Sequence, residues 1–564
     1  MVTRVVQHKI NIIIAIFCFA LSIILIRLCY LQILLNQNFF IKSQKNFLRF
    51  EPIPSLRGNI LDSLGNILAT NQPYNTLYWQ GTGNRHLSPE QEQLAHTIQE
   101  YSTKPSEVLT RIQQAEKTKK KIPLHIKITF EQLCKLTEQF PNHPNLCICT
   151  EYKRYYPHKM LACHILGYIG QNIEAIGKMG LEKSCEILLK GQEGLKLKTI
   201  NSMGINLHEE EIKKTLAGST IVTTLNLPLQ QAAEAAFPKD LTGTIIVMDP
   251  KNGSLQAVVS RPNFDPSIFL DPLSAHDWQG LQQKQPFLNR AFNATYPPAS
   301  LFKLVTIALG IEQELVDPDE LWNCKGYIRF GNRRYHCAKK EGHGYITPAE
   351  VIEKSCNTLF YEIGTHIHID TLAEYAHKFG LGRKTNIVLP EKEGLVPTME
   401  WKHTIKGERW WPGETLSVAI GQSYLLSTPI QIIRMISSIF QGYLVKPRIL
   451  DAEPIEQEPL EIQYATRKFL KKAMKLVPLR GTGSKVGSFS TMTLYAKTGT
   501  AQTAQLNKRH LGDQFREHGW FFVYAKPHNA DPFAMVILVE HAGSSRPAIM
   551  IAKNFLTRYQ KLIN

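Results

Sequence analysis

The first thirty-five residues constrain this chain more than any other stretch. Arg4, His8 and Lys9 precede an apolar run from Ile10 to Ile26, broken only by Asn11 and Ser22, and the run resumes from Leu28 to Leu35 after Arg27. That length spans a ~30 Å hydrocarbon layer as one helix, with Arg27 snorkelling to the interface. RLCYLQILLN, which follows, lacks the small residues a cleavage site needs, and Cys29 is preceded by Leu28 and Arg27, unlike a lipoprotein site. The run therefore reads as an uncleaved anchor. Basic residues ahead of it keep residues 1–9 cytoplasmic, residues 10–35 cross the membrane once, and the remainder folds on the outer side.

At 564 residues, 43% of them hydrophobic and 20% charged, the chain is long enough for several domains and has ordinary globular composition. Its formal charge of +17 suits an anionic membrane surface, an acidic substrate or nucleic acid equally. The densest basic run, Lys117 to Lys121, is short and reads as a solvated face. An outward-facing chain does not meet nucleic acid, which removes that class of partner.

Chemistry concentrates in NRAFNATYPPASLFKLVT, Asn289 to Thr306. Pro297 and Pro298 suit the start of a helix, so the spacing predicts Ser300 at a helix N-terminus, where free N–H groups and the dipole favour developing negative charge. Lys303 falls on the same helix face and can accept the serine proton if burial or nearby positive charge lowers its pKa. Ser-x-x-Lys alone is common, and a cap serine beside a solvated lysine explains it equally well. Two further motifs follow: Ser355-Cys356-Asn357, and Lys497-Thr498-Gly499 inside LYAKTGTAQ. Thr491 to Ala496 is β-branched and aromatic enough for a strand, which places Lys497 to Thr500 along its end, and Gly499 allows close approach of a ligand. Ser-x-x-Lys, Ser-x-Asn and Lys-Thr-Gly in that order resemble the active-site set of penicillin-recognising acyl-serine enzymes.

Residues 46–229 have a different texture. RGNILDSLGNILATN, Arg57 to Asn71, alternates turn residues with short apolar pieces as hairpins do, and Pro89–Tyr101 and Phe130–Phe140 read as helices. No catalytic constellation appears there; the region reads as a packing and spacing module. Arg57-Gly58 with Ile60, Asp62 and Gly65, then Arg154 with Tyr156-Pro157, then Gly180-Leu181-Glu182-Lys183, are similar to the pedestal motifs of class B penicillin-binding proteins. Ser63 and Leu64 depart from that family's usual Asp-Arg-Asn-Gly, at the place of an arginine-mediated contact. KTGTAQ and the HGYITPAE segment ahead of Ser355 lean toward the elongation-type group, penicillin-binding protein 2.

Residues 230–564 open with GTIIVMDPKNGSLQAVVSRP, Gly243 to Pro262, a clear hairpin, and close with strands at Gly519–Ala525 and Phe533–His541. Between them lies a largely helical block carrying Ser300 and Ser355. Strands at both ends with a helical insertion imply an α+β domain whose cleft lies where helix meets sheet. The resemblance implies the same serine β-lactamase-like architecture, behind an elongated mixed α/β pedestal of the dimerisation type and a transmembrane helix.

It also implies the reaction: Ser300 attacks the D-Ala-D-Ala carbonyl of a peptidoglycan stem peptide, Lys303 takes its proton, D-alanine leaves, and an acceptor amine resolves the acyl-enzyme into a crosslink during elongation and shape maintenance. D,D-carboxypeptidase activity is the expected side reaction. By the same resemblance Ser355 relays protons, Asn357 holds Lys303 or the substrate amide, and Lys497 draws the substrate carboxylate. Thr498 and Thr500 supply hydroxyl donors, and the N–H groups of Ser300 and Thr500 form an oxyanion hole. GQSYLLSTPIQ, Gly421 to Gln431, reads as a loop entering a helix, with Ser423 where relatives tend to have a second glycine.

The implied partners are stem peptides, β-lactam antibiotics and a membrane glycan polymerase, since the pedestal has no paired catalytic carboxylates of its own; the implied place is the bacterial inner membrane with the bulk periplasmic. A serine β-lactamase is disfavoured by the absence of a Glu-x-x-Leu-Asn segment. The alternative is a membrane-anchored β-lactam sensor or a non-catalytic cell-wall scaffold of the same fold.

Among the 10 cysteines, Cys324, Cys337 and Cys356, with His343 between them, have thiolate and imidazole spacing that suits a closed structural zinc site, one not needed for the chemistry. A Cys324–Cys337 disulfide with an ordinary His343 is the competing reading, and His336 is an alternative ligand.

Overall fold

The computed structural model describes residues 2–84, 86–102, 104–170, 175–200, 206–270, 273–282, 285–503 and 512–563. The chain opens in helix Val2–Cys29, widens through one π-helical turn at Tyr30–Leu34, and continues in helix Asn36–Phe47. Val6–Leu34 has a mean hydropathy of 2.9 in its most apolar window, none of which is buried inside the protein. A bare apolar helix of this length is stable only with lipid around it, which makes it a single-pass membrane anchor.

The chain sorts into two compact units that interleave in sequence. The first comprises Met1–Leu56, Gln72–Lys153 and Gly191–Gly218. In it, Leu48–Ile53 pairs antiparallel with Gly194–Ile200, which pairs with Asn206–Lys213. A separate pairing joins Asn75–Gln80 to Lys121–Ile128. Leu77, Trp79, Leu124 and Ile126 project from these strands onto Leu94 and Ile98 of helix Pro89–Glu100 and Ile112 of helix Pro105–Thr118. Ser88 and Thr129 form capping boxes with Gln91 and Gln132, which explains why the expected helices begin at Pro89 and Phe130.

The second unit gathers Arg57–Asn71 and Arg154–Lys190 together with Ser219–Asn564. Glu182 supplies a physical reason for the gathering of the first two segments. Its fully buried carboxylate takes Arg57 Nε at 2.5 Å and Arg154 Nε at 2.7 Å, and Tyr156 O–H donates to it at 3.3 Å. Three motif residues from two distant segments meet on one anion. Asp62 organises the Ser63-Leu64 turn instead of an arginine: it accepts from the N–H groups of Leu64, Asn66 and Leu227 at 2.9, 2.7 and 2.9 Å. Leu64 itself is 62% exposed.

At the centre of this unit is a five-stranded antiparallel sheet in the order Leu255–Arg261, Gly243–Met248, Phe533–Val539, His518–Pro527, Met492–Ala501. Helices Leu227–Ala236 and Arg546–Ile563 pack on it, as do Pro429–Gln441 and Tyr464–Leu479. Gly243–Met248 and Phe533–Val539 are buried along their whole length, so they read as continuous apolar runs and not as alternating strands. The Lys497 strand, Met492–Ala501, forms an edge of the sheet and runs through the whole Lys-Thr-Gly-Thr segment.

Candidate active site

Ser300 does not sit at the N-terminus of an α-helix, as its spacing from the prolines predicted. It lies in a 3₁₀ turn, Ala299–Leu301, and the α-helix begins at Lys303. Backbone geometry explains the difference: Ala299 adopts φ 49°, a left-handed conformation costly for a residue with a side chain, and breaks the helical path. Two contacts hold the turn. Ala299 N–H donates to Gly421 O at 2.8 Å, and Trp520 Nε1–H donates to Pro297 O at 3.0 Å. Gly421 has φ 76°, and a Cβ there would stand 2.1 Å from Ala299 O, so only glycine allows this approach.

Lys303 is fully buried, and its Nζ donates to Ser355 O at 2.8 Å, Cys356 O at 3.0 Å and Asn357 Oδ1 at 2.7 Å. The Ser-x-Asn tripeptide therefore faces the lysine with two main-chain carbonyls and one amide oxygen. Ser355 has φ 53°, a second left-handed non-glycine residue, and that kink turns successive carbonyls toward one point. Burial pushes Lys303 down to about 8, against a smaller upward pull from the Cys356 and Cys337 sulfurs.

Lys497, also fully buried, donates to Ser355 Oγ at 3.0 Å and to Thr498 O at 3.1 Å. Burial first and the Lys303 charge second hold it well below the ordinary lysine value. The Thr498 hydroxyl meets that of Thr482 at 2.7 Å. Gly499 lies against the Ser300 turn, where a Cβ would come within 3.4 Å of both Leu301 Cγ and Pro298 O. Thr500 is exposed at the rim.

Behind the tripeptide, Cys324 Sγ, Cys337 Sγ, His343 Nδ1 and Cys356 Sγ all lie within 4.8 Å of one another. The His343 nitrogen is 3.5 Å from Cys324 Sγ and 3.6 Å from Cys337 Sγ, and Cys337 and Cys356 are 3.7 Å apart. Cys324 and Cys337 are not joined in a disulfide in this structure. His336 stands outside the group; its carbonyl accepts from Asn357 Nδ2 at 3.2 Å.

Residues 243–557 match the penicillin binding protein transpeptidase domain, and residues 52–223 match the penicillin-binding protein dimerisation domain. The chain belongs to the penicillin-binding protein transpeptidase family. Within that family it falls with class B, elongation-type members. The peptidoglycan D,D-transpeptidase MrdA of Acinetobacter baumannii is 29% identical, over 98% of this chain and 87% of the relative. Among solved structures, the penicillin-binding protein PBP2 of Helicobacter pylori, determined in complex with MreC, superposes with a TM-score of 0.78 at 27% identity, covering 92% of this chain and 99% of that one. A chain from a peptidoglycan synthase complex superposes at 0.76 with 28% identity, covering 98% of both.

This transpeptidase also uses positions that motif reading passed over. Thr482, in Arg480-Gly481-Thr482-Gly483, supports Thr498 and donates its own N–H to Glu353 O at 3.2 Å. Gly-Thr-Gly just ahead of a strand was the available signal. Trp520 carried none, because its contact with Pro297 joins segments more than two hundred residues apart.

Proposed function

We propose that the cleft crosslinks peptidoglycan stem peptides through an acyl-enzyme on Ser300, as a serine-type D,D-transpeptidase. The observation that carries the residue roles is the convergence of Lys303, Ser355, Asn357 and Lys497, from separate motifs, beside the Ser300 turn. The three contacts of Lys303 use all three N–H donors of an ammonium. Once neutral it keeps two donors and gains a lone pair, and burial makes that state accessible near neutral pH. Ser300 Oγ then bonds to the D-Ala-D-Ala carbonyl carbon while its proton passes to Lys303.

Collapse of the tetrahedral intermediate breaks the C–N bond, and the departing D-alanine amine takes a proton through Ser355 Oγ, to which Lys497 donates. An acceptor amine resolves the ester to give the crosslink; water in its place gives D,D-carboxypeptidase activity. The N–H groups of Ser300 and Thr500 serve the oxyanion, and Lys497 with the Thr498 and Thr500 hydroxyls faces the substrate carboxylate. A β-lactam enters the same sequence with its ring C–N bond as the one that breaks. Retention of every polar group this chemistry needs favours the enzyme over a scaffold or sensor.

Cys324, Cys337, His343 and Cys356 fit a structural zinc ion. A tetrahedral centre with Zn–S of ~2.3 Å and Zn–N of ~2.0–2.1 Å has S···S edges of ~3.8 Å and S···N edges of ~3.5 Å, which the Cys337–Cys356 and His343 separations match. Four protein ligands leave no open position, so the ion would stiffen the wall behind Ser355 and Asn357 and take no part in the reaction.

The anchor suits the inner membrane, with the folded bulk periplasmic. A glycan polymerase in the same membrane is the proposed partner, supported by the likeness to a chain of a peptidoglycan synthase complex. Intact-protein and peptide mass spectrometry after benzylpenicillin tests the reading. A slowly lost adduct on Ser300, absent from Ser300→Ala, is expected; rapid turnover without adduct would indicate hydrolysis, and neither would indicate a scaffold.

A further inference from the structure

The Lys497 strand is an edge of its sheet, yet its exposed end is not open. Gln422 Nε2–H donates to Thr500 O at 3.2 Å, and Gln422 Oε1 accepts from Gln502 N–H at 3.3 Å. One side-chain amide thus occupies a carbonyl of the strand and the N–H just past its end, beside the Ser300 turn, as the N–H and C=O of one residue of an added strand would. The presenting loop is tightly set. Gly421 at φ 76° is clamped to Ala299, and Ser423 follows at φ 67°, so Gln422 sits between two left-handed residues that fix where its side chain leaves the backbone. Glycine at 423 would adopt that φ without cost; serine makes the loop stiffer.

We propose that Gln422 is a gating residue for the acyl donor: its amide stands in for a substrate peptide group on the edge of the Lys497 strand and is displaced when a donor pairs with Thr500 O. The inference rests on the transpeptidase reading above. A donor whose backbone amide lies along this edge competes with the Gln422 amide, whereas a donor without such an amide does not. Gln422 therefore imposes a displacement cost on donors that pair with this edge, least for those able to replace both of its hydrogen bonds, and its effect lies in donor capture and not in the acyl-transfer step itself.

The test compares acylation of Ser300 in the full-length protein and in Gln422→Ala and Gln422→Glu. Gln422→Glu keeps the size of the side chain but cannot donate to Thr500 O. The probes are benzylpenicillin, which carries an acylamino N–H, and a carbapenem bearing a hydroxyethyl group in its place. Both variants are expected to acylate with benzylpenicillin about 2- to 10-fold faster in second-order rate constant, the range set by the net worth of one or two hydrogen bonds. The gain should lie in the apparent binding constant, with the maximal acylation rate and the carbapenem rate unchanged. An equal gain with both probes would mean a loosened loop and would overturn the proposal, as would a loss or no change with benzylpenicillin. Two variants that melt far below wild type would also overturn it, by showing Gln422 to be structural. Failure of the wild type to acylate with either probe would instead remove the transpeptidase reading.

Discussion

Two groups of buried cations lie in the C-terminal unit, and they are neutralised in opposite ways. Arg57 and Arg154 share Glu182, and Arg57 also pairs with Glu186 at 2.7 Å. Lys303 and Lys497 have no carboxylate within ion-pair distance among the described residues; carbonyls, an amide oxygen and a hydroxyl receive them. The first arrangement locks charge in place. In the second, proton loss costs little, because neutral acceptors hold an ammonium less firmly than a carboxylate does and burial works against it. The arginines hold segments together, and the lysines are free to exchange protons. The first unit contains the mirror image of the lysine site. Glu116 is an anion held by neutral donors: Trp79 Nε1 at 2.7 Å, Asn145 Nδ2 at 3.0 Å and the N–H groups of Thr82 and Gly83 at 2.8 and 2.9 Å.

The comparison breaks most directly at Lys303. Lys303→Met keeps the length of the side chain and removes the base, so the rate of Ser300 acylation by benzylpenicillin should fall by ~100- to 10,000-fold while the thermal midpoint changes little; a midpoint collapse with a small rate loss would make Lys303 a structural cation like the arginines. Glu182→Gln should do the reverse. It leaves Arg154 without its counter-ion and Arg57 with Glu186 alone, and is expected to cost about 3–5 kcal/mol in urea unfolding, with acylation per folded molecule near wild type.

A smaller effect is expected at the cysteine wall. Metal analysis of the wild type should find zinc, and Cys337→Ser should lose it and melt at lower temperature; a metal-free wild type with intact activity would remove zinc from the account.

The smallest effect is a pH dependence at Glu116. Burial raises its pKa, but the hydrogen bonds from Trp79, Thr82 and Gly83 outweigh that and leave it below the ordinary 4.5. Stability from the ionised form is present in full above that unfolded-state value and is lost as pH falls through the lower folded one. The gap in urea midpoint between wild type and Glu116→Gln should therefore be widest near neutral pH and close in acid. A gap that persists in acid would assign the side chain a packing role.

Much of the site was legible because its chemistry is carried by short local patterns. Ser-x-x-Lys, Ser-x-Asn and Lys-Thr-Gly each name a residue type whose purpose follows from its functional group, and the cysteine spacing pointed to a four-ligand group that the chain does bring together. The turn at Ser300 was misread because Pro-Pro followed by an apolar run satisfies every local rule for a helix start. What bends it is Ala299 pressed against Gly421, more than a hundred residues away, and no propensity encodes that contact. The Gly421–Gln431 segment stands out in sequence by its glycine pattern, but its hold on Thr500 and Gln502 depends on which strand edge it reaches.

By itself the sequence determined the anchor, the alternation of helices and strands, and the residue types available for acyl transfer. These are set by hydrophobic period, capping chemistry and side-chain functional groups, all of which act over a few residues. Tertiary structure alone decided that Glu182 gathers Arg57, Arg154 and Tyr156, that Lys303 is held by neutral acceptors while the arginines pair with carboxylates, and that Gln422 covers the edge beside Ser300. Each of these depends on burial and on partners brought from distant segments. A pKa or a hydrogen bond has no value until the fold has removed water and supplied the neighbour.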